Sequence, residues 1–297
     1  MEWKTAVTDI LGCRYPILQG AMERLADWRL AAAVANAGAH GIITGSISRT
    51  PEKLREDILT CKEATAGAPG TFGVNLSIGL CPDIEKMLEV CIDEKVPVET
   101  SVYKPDALAP MIKQGGIPWI HKAARVKDAV HAQELGPDAI ILVGVEGAGI
   151  KNPDQLPTMT TIIWGRKQLT VPIIAAGGIG SARGFLAALG MGADGIMMGS
   201  AFMATRECRI ADSMKEAITR LNPEDPDLRR RVLTPGPPRR PADPSAAETA
   251  PRETDWSQAV SLAAGVIDHV PTVKEFIDGI ISEANEIING WAFLKTR

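Results

Sequence analysis

Two short stretches of this chain set backbone amides, bare of side chains, where an anion can rest. Residues 171–200 read VPIIAAGGIGSARGFLAALGMGADGIMMGS, two apolar runs that each end in small residues and are joined by one helix-like segment. Gly177 and Gly178 close the first run, and Gly199 and Ser200 close the second. Unpaired N–H donors at a helix start, aided by the helix dipole, form a cradle for phosphate. Other turns carry isolated polar groups among small residues: Gly20-Ala21-Met22 followed by Glu23 and Arg24, then Asn75, then Lys122, then residues 144–149 with Glu146 and the following Lys151. Small residues let a planar ring approach the backbone, and the Asn75 amide offers a donor and an acceptor to its edge. Lys122 adds a cation where reduction of such a ring places negative charge, the electrostatic requirement of a flavin. Glu146 is the candidate for proton work or, equally, a carboxylate that fixes its own loop. Glu23, Arg24 and Lys151 are placed to meet a substrate, with plain solvation the alternative for Lys151.

Such loops need a scaffold that brings them to one place. Apolar runs bounded by turn residues occur at 15–19, 41–44, 72–76, 96–100, 117–122, 139–143, 172–176 and 195–199. Helix-like segments lie between most of them, at 28–37, 51–66, 82–94, 105–115, 124–135 and 182–189. Each is long enough for the crossover that a parallel pair requires. Eight strands, with the phosphate signal after the seventh and eighth, favour an α/β chain folded as a (β/α)8 TIM barrel over a doubly wound sheet.

The register changes after residue 209. Residues 222–255 are rich in proline and include PGPPRRPADPSAAETAPRE, which forms neither a continuous helix nor a central strand. This excursion is a connector or a lid over the barrel mouth. Helical patterning returns at 256–267 and 272–288, and in the second of these Val273, Phe276, Ile277, Ile280, Ile281, Ala284, Ile287 and Ile288 fall on one face. The expected organisation is a barrel over 1–215, a proline-rich excursion over 216–255, and a C-terminal helical extension over 256–297 that packs on the barrel.

With 45% hydrophobic and 23% charged residues over 297 positions, the chain can bury a full core. A formal charge of −4 argues against a nucleic-acid surface, and no apolar run reaches the ~20 residues that cross a bilayer. Five cysteines without CxxC or metal spacing point to reduced thiols, a cytoplasmic address and no metal site. The expected partner is a small-molecule substrate rather than nucleic acid or membrane; oligomeric state stays open, a homodimer included.

PILQGAM at 16–22, FGVNL at 72–76, Lys122 closing the fifth strand, GxExxG at 144–149, AAGGI at 175–179 and MGSAF at 198–202 fall in order, one per strand. Together they resemble the FMN-dependent barrel family of nitronate monooxygenases, formerly 2-nitropropane dioxygenases, and the related flavin enoyl-carrier-protein reductases. The resemblance runs from about Tyr15 to Glu207. It implies FMN, with Ala21 and Met22 against the ring, Asn75 and Lys122 at its polar edge, Gly178 in the first phosphate loop, and Gly199 and Ser200 in the second.

One departure bears on the reaction. The sixth loop of the family ends in a His that serves the monooxygenases as base, and that position here is Ile150, which takes no proton. General base catalysis is typically worth 10² to 10⁴ in rate. The continuation IKNPDQLPTMTTI resembles a branch of the family without this His, some of whose members are associated with acyl-CoA or steroid-ring breakdown. The reading is therefore an FMN-dependent oxidoreductase that uses NAD(P)H or works on acyl- or enoyl-CoA-type substrates by hydride transfer through flavin N5. Oxidation of alkyl nitronates with O2 is the first alternative, and a non-catalytic flavin-binding protein the second. His121 precedes Lys122, so strand alternation sends it to the opposite face.

Overall fold

The computed structural model describes residues 2–149, 151–234 and 260–291. Eight parallel strands close into a barrel in sequence order: β1 (Ile17–Gln19), β2 (His40–Thr44), β3 (Thr71–Ser77), β4 (Val98–Ser101), β5 (Trp119–Ala123), β6 (Ala139–Val143), β7 (Ile173–Ala176) and β8 (Gly195–Met198). All eight expected strands are present within a few residues of their expected bounds. β8 returns to β1 through the pairs Ile17 with Ile196 and Gln19 with Met198. The β1–β2 seam has a single register pair, Leu18 with His40. The buried Gln19 side chain extends that seam, its Oε1 accepting the Ile42 N–H at 2.9 Å.

Leu18, Ile120, Ala139, Ile141, Val143, Ile174, Ala176 and Met197 form an apolar cluster with Val7 and Leu11 of the helix Ala6–Leu11. That short helix plugs the end where the strands begin. Its first turn is fixed by a reciprocal pair of side-chain bonds between Thr5 and Thr8, which satisfies two otherwise orphaned donors. A second apolar layer lies between strands and outer helices, where Trp119, His121 and Ala123 of β5 point. There the His121 ring and the Trp119 indole N–H both meet the Thr100 hydroxyl, each at 2.9 Å.

The outer ring is completed late in the chain. β8 is followed directly by a four-residue turn of helix, Ser200–Met203, and the place of the barrel's eighth outer helix is taken by Val273–Gly290. This helix packs between Ala182–Gly190 and Trp28–Asn36, burying Val273, Ile277, Ile280, Ile281 and Ala284, and Phe276 meets Phe202 edge to face at 5.4 Å. It therefore flanks the barrel.

Two expectations need correction. Pro226–Leu233, inside the stretch read as irregular, is a helix, because Asp225 caps it by accepting from Asp227 and Leu228 and Pro226 sits where a missing N–H costs nothing. The described part of 256–267 is a 3-10 turn, Leu262–Val266, rather than an α-helix. Gly265 there lies so close to the Pro223 ring that an added Cβ would come within 2.5 Å of it, which fixes the turn against the preceding segment. Residues 235–255 of the proline-rich excursion and Ile150 lie outside the described residues.

Candidate active site

The residues singled out from sequence lie in the turns after β1, β6, β7 and β8 and on the mouth-side halves of β3 and β5, all at one end of the barrel. The Gly20 N–H donates to the Met198 carbonyl at 2.8 Å, joining the first turn to the last strand. Met22 follows, half-buried, held by its N–H to the Thr44 hydroxyl at 3.1 Å and facing Gly199. Glu23 accepts from Ser46 at 2.7 Å, and the exposed Arg24 adopts a left-handed φ of 66°.

The phosphate candidate after β7 is built from backbone. Gly177 and Gly178 have φ of 102° and 72°, a region open to glycine and strained for other residues. A Cβ at 177 would sit 2.9 Å from the Gly144 carbonyl oxygen, so the loop excludes any side chain there. Among the described residues, the N–H groups of Gly178, Ile179 and Gly180 carry no hydrogen bond, although Ile179 and Gly180 are buried. Buried amides are nearly always paired, so this row fits an anion. The helix Ala182–Gly190 follows at once, its Ser181 cap accepting from Gly184 at 3.3 Å. After β8, the buried Ser200 hydroxyl accepts the Ser261 N–H at 2.8 Å.

Polar side chains enter from the other side of the barrel. The fully buried Asn75 donates from Nδ2 to the Ser101 hydroxyl at 3.0 Å and accepts at Oδ1 from Ser77 at 2.7 Å. Lys122 is half-buried on the inward face of β5. Glu99, between them on β4, is buried, and burial pushes its carboxyl above the usual range while Lys122 and then Asn75 pull it down.

The loop after β6 is held from within. Glu146 Oε2 lies 2.8 Å from the Thr158 N–H and 2.7 Å from its hydroxyl, and Oε1 lies 3.1 Å from the same N–H. Thr158 opens the helix Thr158–Gln168, so the carboxylate sits on a helix N-terminus, where negative charge is favoured. The Thr158 hydroxyl is also 2.9 Å from the Gly177 carbonyl, which ties the sixth loop to the seventh. Lys151 donates to the carbonyls of Val145, at 2.6 Å, and Gly147. Burial lowers its pKa to about 8, helped by Lys122 and opposed by Glu146. Both charged groups are thus engaged in fixing loop backbone.

Sequence reasoning missed three contributors. Glu99 carried one signal, a charge in the otherwise uncharged strand VETS. Thr158 follows a proline at the start of a helix that the apolar pattern did not resolve. The segment at 260–266 crosses this face, with the Leu262 N–H on the Glu146 carbonyl at 3.0 Å and Ala263 and Val266 against Gly180. The cysteines contribute no nucleophile: all five are buried free thiols, and burial raises Cys13, Cys61 and Cys81 to about 12. Among the described residues no grouping of His, Cys, Asp and Glu suits a metal ion, and no helix is long and apolar enough to cross a membrane.

Comparison with known proteins gives this geometry a setting. The family profile described as nitronate monooxygenase matches residues 4–100 and 83–240. A (3aS,4S,5R,7aS)-5-hydroxy-7a-methyl-1-oxo-octahydro-1H-indene-4-carboxyl-CoA dehydrogenase of Rhodococcus jostii (strain RHA1) is 32% identical over 230 residues, 77% of this chain and 63% of that protein. The chain thus spans less than two thirds of the length of this relative. A probable nitronate monooxygenase of Staphylococcus aureus (strain MSSA476) is 27% identical over 259 residues, 72% of each. The structure of FabK from Thermotoga maritima superposes with a TM-score of 0.81 at 28% identity, covering 98% of this chain and 99% of that one.

Proposed function

The chain belongs to the nitronate monooxygenase family, and from that premise we propose that it is an FMN-dependent oxidoreductase working on acyl- or enoyl-CoA-type substrates by hydride transfer through flavin N5. NAD(P)H is the candidate electron donor. The observation that carries this reading is the engagement of Glu146. With both oxygens on Thr158, it has the place of a loop-fixing carboxylate rather than of a base waiting for a substrate proton. Ile150, at the position where the family resemblance expects a His, has nothing to titrate. Delivery of a hydride from reduced flavin to the β-carbon of an enoyl thioester is completed by protonation of the α-carbon, so that direction needs a proton donor and no base in that loop. The carboxyl-CoA named for the Rhodococcus jostii relative supports the substrate class.

FMN, when bound, supplies a two-electron carrier that takes and returns a hydride at N5. The chain's own part is binding and electrostatics. Gly177 and Gly178 give the room, and the unpaired N–H groups of Gly178, Ile179 and Gly180, with Gly199 and Ser200 opposite, would hold the phosphate. Asn75 and Lys122 would meet the polar edge of the ring, the Lys122 ammonium favouring the negative charge that reduction places there. Ala21 and Met22 would cover the ring from β1. Glu23 and Arg24 stand at the rim where a substrate enters, and Lys151 acts by shaping its loop.

The test is anaerobic stopped-flow at the flavin absorbance band, mixing purified protein separately with NADH, NADPH, an acyl-CoA and ethylnitronate. Bleaching by a nicotinamide or by the thioester, and not by the nitronate, is the expected outcome. Bleaching by nitronate alone would establish nitronate oxidation instead, the reading that the Staphylococcus aureus relative favours. A bound flavin that no donor reduces would point to a binding protein.

A further inference from the structure

A charged group deep in a barrel is costly unless it is paired. Glu99 is 1% exposed, and among the described residues neither of its carboxyl oxygens meets a hydrogen-bond partner. Asn75 spends its Oδ1 on Ser77 and one Nδ2–H on Ser101, and after Lys122 it pulls the Glu99 carboxyl down from the level to which burial raises it. Glu99 pairs in register with Asn75 on β3 and with Ile120 on β5. Lys122 stands two residues past Ile120, on the same face and one step nearer the mouth. Three adjacent strands thus turn an amide, a carboxyl and an ammonium inward.

We propose that Glu99 is the positioning residue of Lys122, a buried carboxyl that draws the ammonium down into the barrel when ionised and leaves it directed at the mouth when protonated. The proton released on ionisation leaves to solvent through that mouth. The groups near Glu99 among the described residues are Asn75 and Ser77 of β3, Ser101 of β4 and Lys122 of β5, and Lys122 in turn lowers the pKa of Lys151, which Glu146 raises. His40, at the start of β2, is bonded to Thr71 and held neutral by burial. The folded-state pKa of Glu99 is raised, so its stabilising contribution is complete below the unfolded-state value and is lost as pH rises through the folded one.

The inference rests on the flavin reading only for its second readout. The first is denaturant unfolding of the ligand-free protein between about pH 5 and 9 for wild type, Glu99→Gln, Lys122→Met and the double variant. Glu99→Gln is expected to gain stability over wild type as pH rises, and to gain more in the Lys122→Met background, where nothing offsets the carboxylate. Additive effects, or a gain independent of pH, overturn the proposal. If Glu99→Gln does not fold, Glu99→Asp takes its place in the same cycle, with a pH-dependent and non-additive effect again required.

The second readout is the FMN dissociation constant of the apoprotein. Wild-type affinity should fall by up to about tenfold per pH unit above the Glu99 titration, with that fall absent in Glu99→Gln. Titration of the FMN phosphate is common to both proteins and cancels. Identical pH dependences in the two proteins count against the proposal. Failure of every variant to bind FMN defeats the flavin reading, and the unfolding cycle still decides Glu99.

Discussion

β3, β4 and β5 turn Asn75, Ser77, Glu99, Ser101 and Lys122 inward near the mouth, whereas β6, β7, β8 and β1 fill the same interior with Ile141, Val143, Ile174, Ala176, Met197 and Leu18. The polar half acts through side chains. The apolar half acts through backbone, as the unpaired amides after Gly177 lie just past its strands. A ligand with a charged tail and a polar ring edge is matched by this division. The tail needs fixed donors that cost no reorganisation, and the edge needs groups chosen one by one.

Lys122→Ala tests the side-chain half most severely. It should slow flavin reduction by about 10²-fold, the usual scale for losing one preorganised charge-stabilising group, as read by stopped-flow. An unchanged reduction rate and flavin content would remove Lys122 from the site. On the backbone half, Gly177→Ala should cost about 1–3 kcal/mol in chemical denaturation, through its positive φ and its close approach to Gly144, and should release FMN on gel filtration. Retention of FMN with unaltered stability would show that the cradle is more tolerant than its geometry implies.

Acid probes two buried histidines outside that inward polar set. Burial lowers His40 to about 3 and His121 to about 4, below their unfolded value, so the stability they carry is present above about pH 6.5 and is lost as pH falls toward those values. Each should add up to about 1.4 kcal/mol per pH unit to the acid slope, and replacing both with Gln should flatten it. The smallest expected effect lies in the loops of the second half. Glu146→Gln should lose about 0.3–1 kcal/mol of helix N-terminus stabilisation with turnover reduced less than about tenfold. A fall of about 10² or more would make Glu146 an acid–base residue after all.

The strands were legible because each is an apolar run cut off by turn residues, and parallel strands buried on both faces must read that way. The helix Thr158–Gln168 was not, since Met159, Ile163 and Trp164 are exposed on it and blur the helical stripe. Pro226–Leu233 was hidden by its prolines, although Asp-Pro is also how helices begin. In the site, glycines and Lys122 announced themselves by type and place. Glu99 did not, because its significance is the lack of a partner, which only three-dimensional placement reveals. Glu146 shows the converse: the sequence left its role open, and Thr158, twelve residues on, accounts for both of its oxygens.

Ser261 and Leu262 reach back across more than sixty and more than a hundred positions to Ser200 and Glu146. During synthesis the eight strands emerge long before these two amides, so the mouth stays unfinished while the barrel beneath it can already close. Contacts of such long sequence separation form late. A chain halted before residue 260 would lack both of these contacts at the rim.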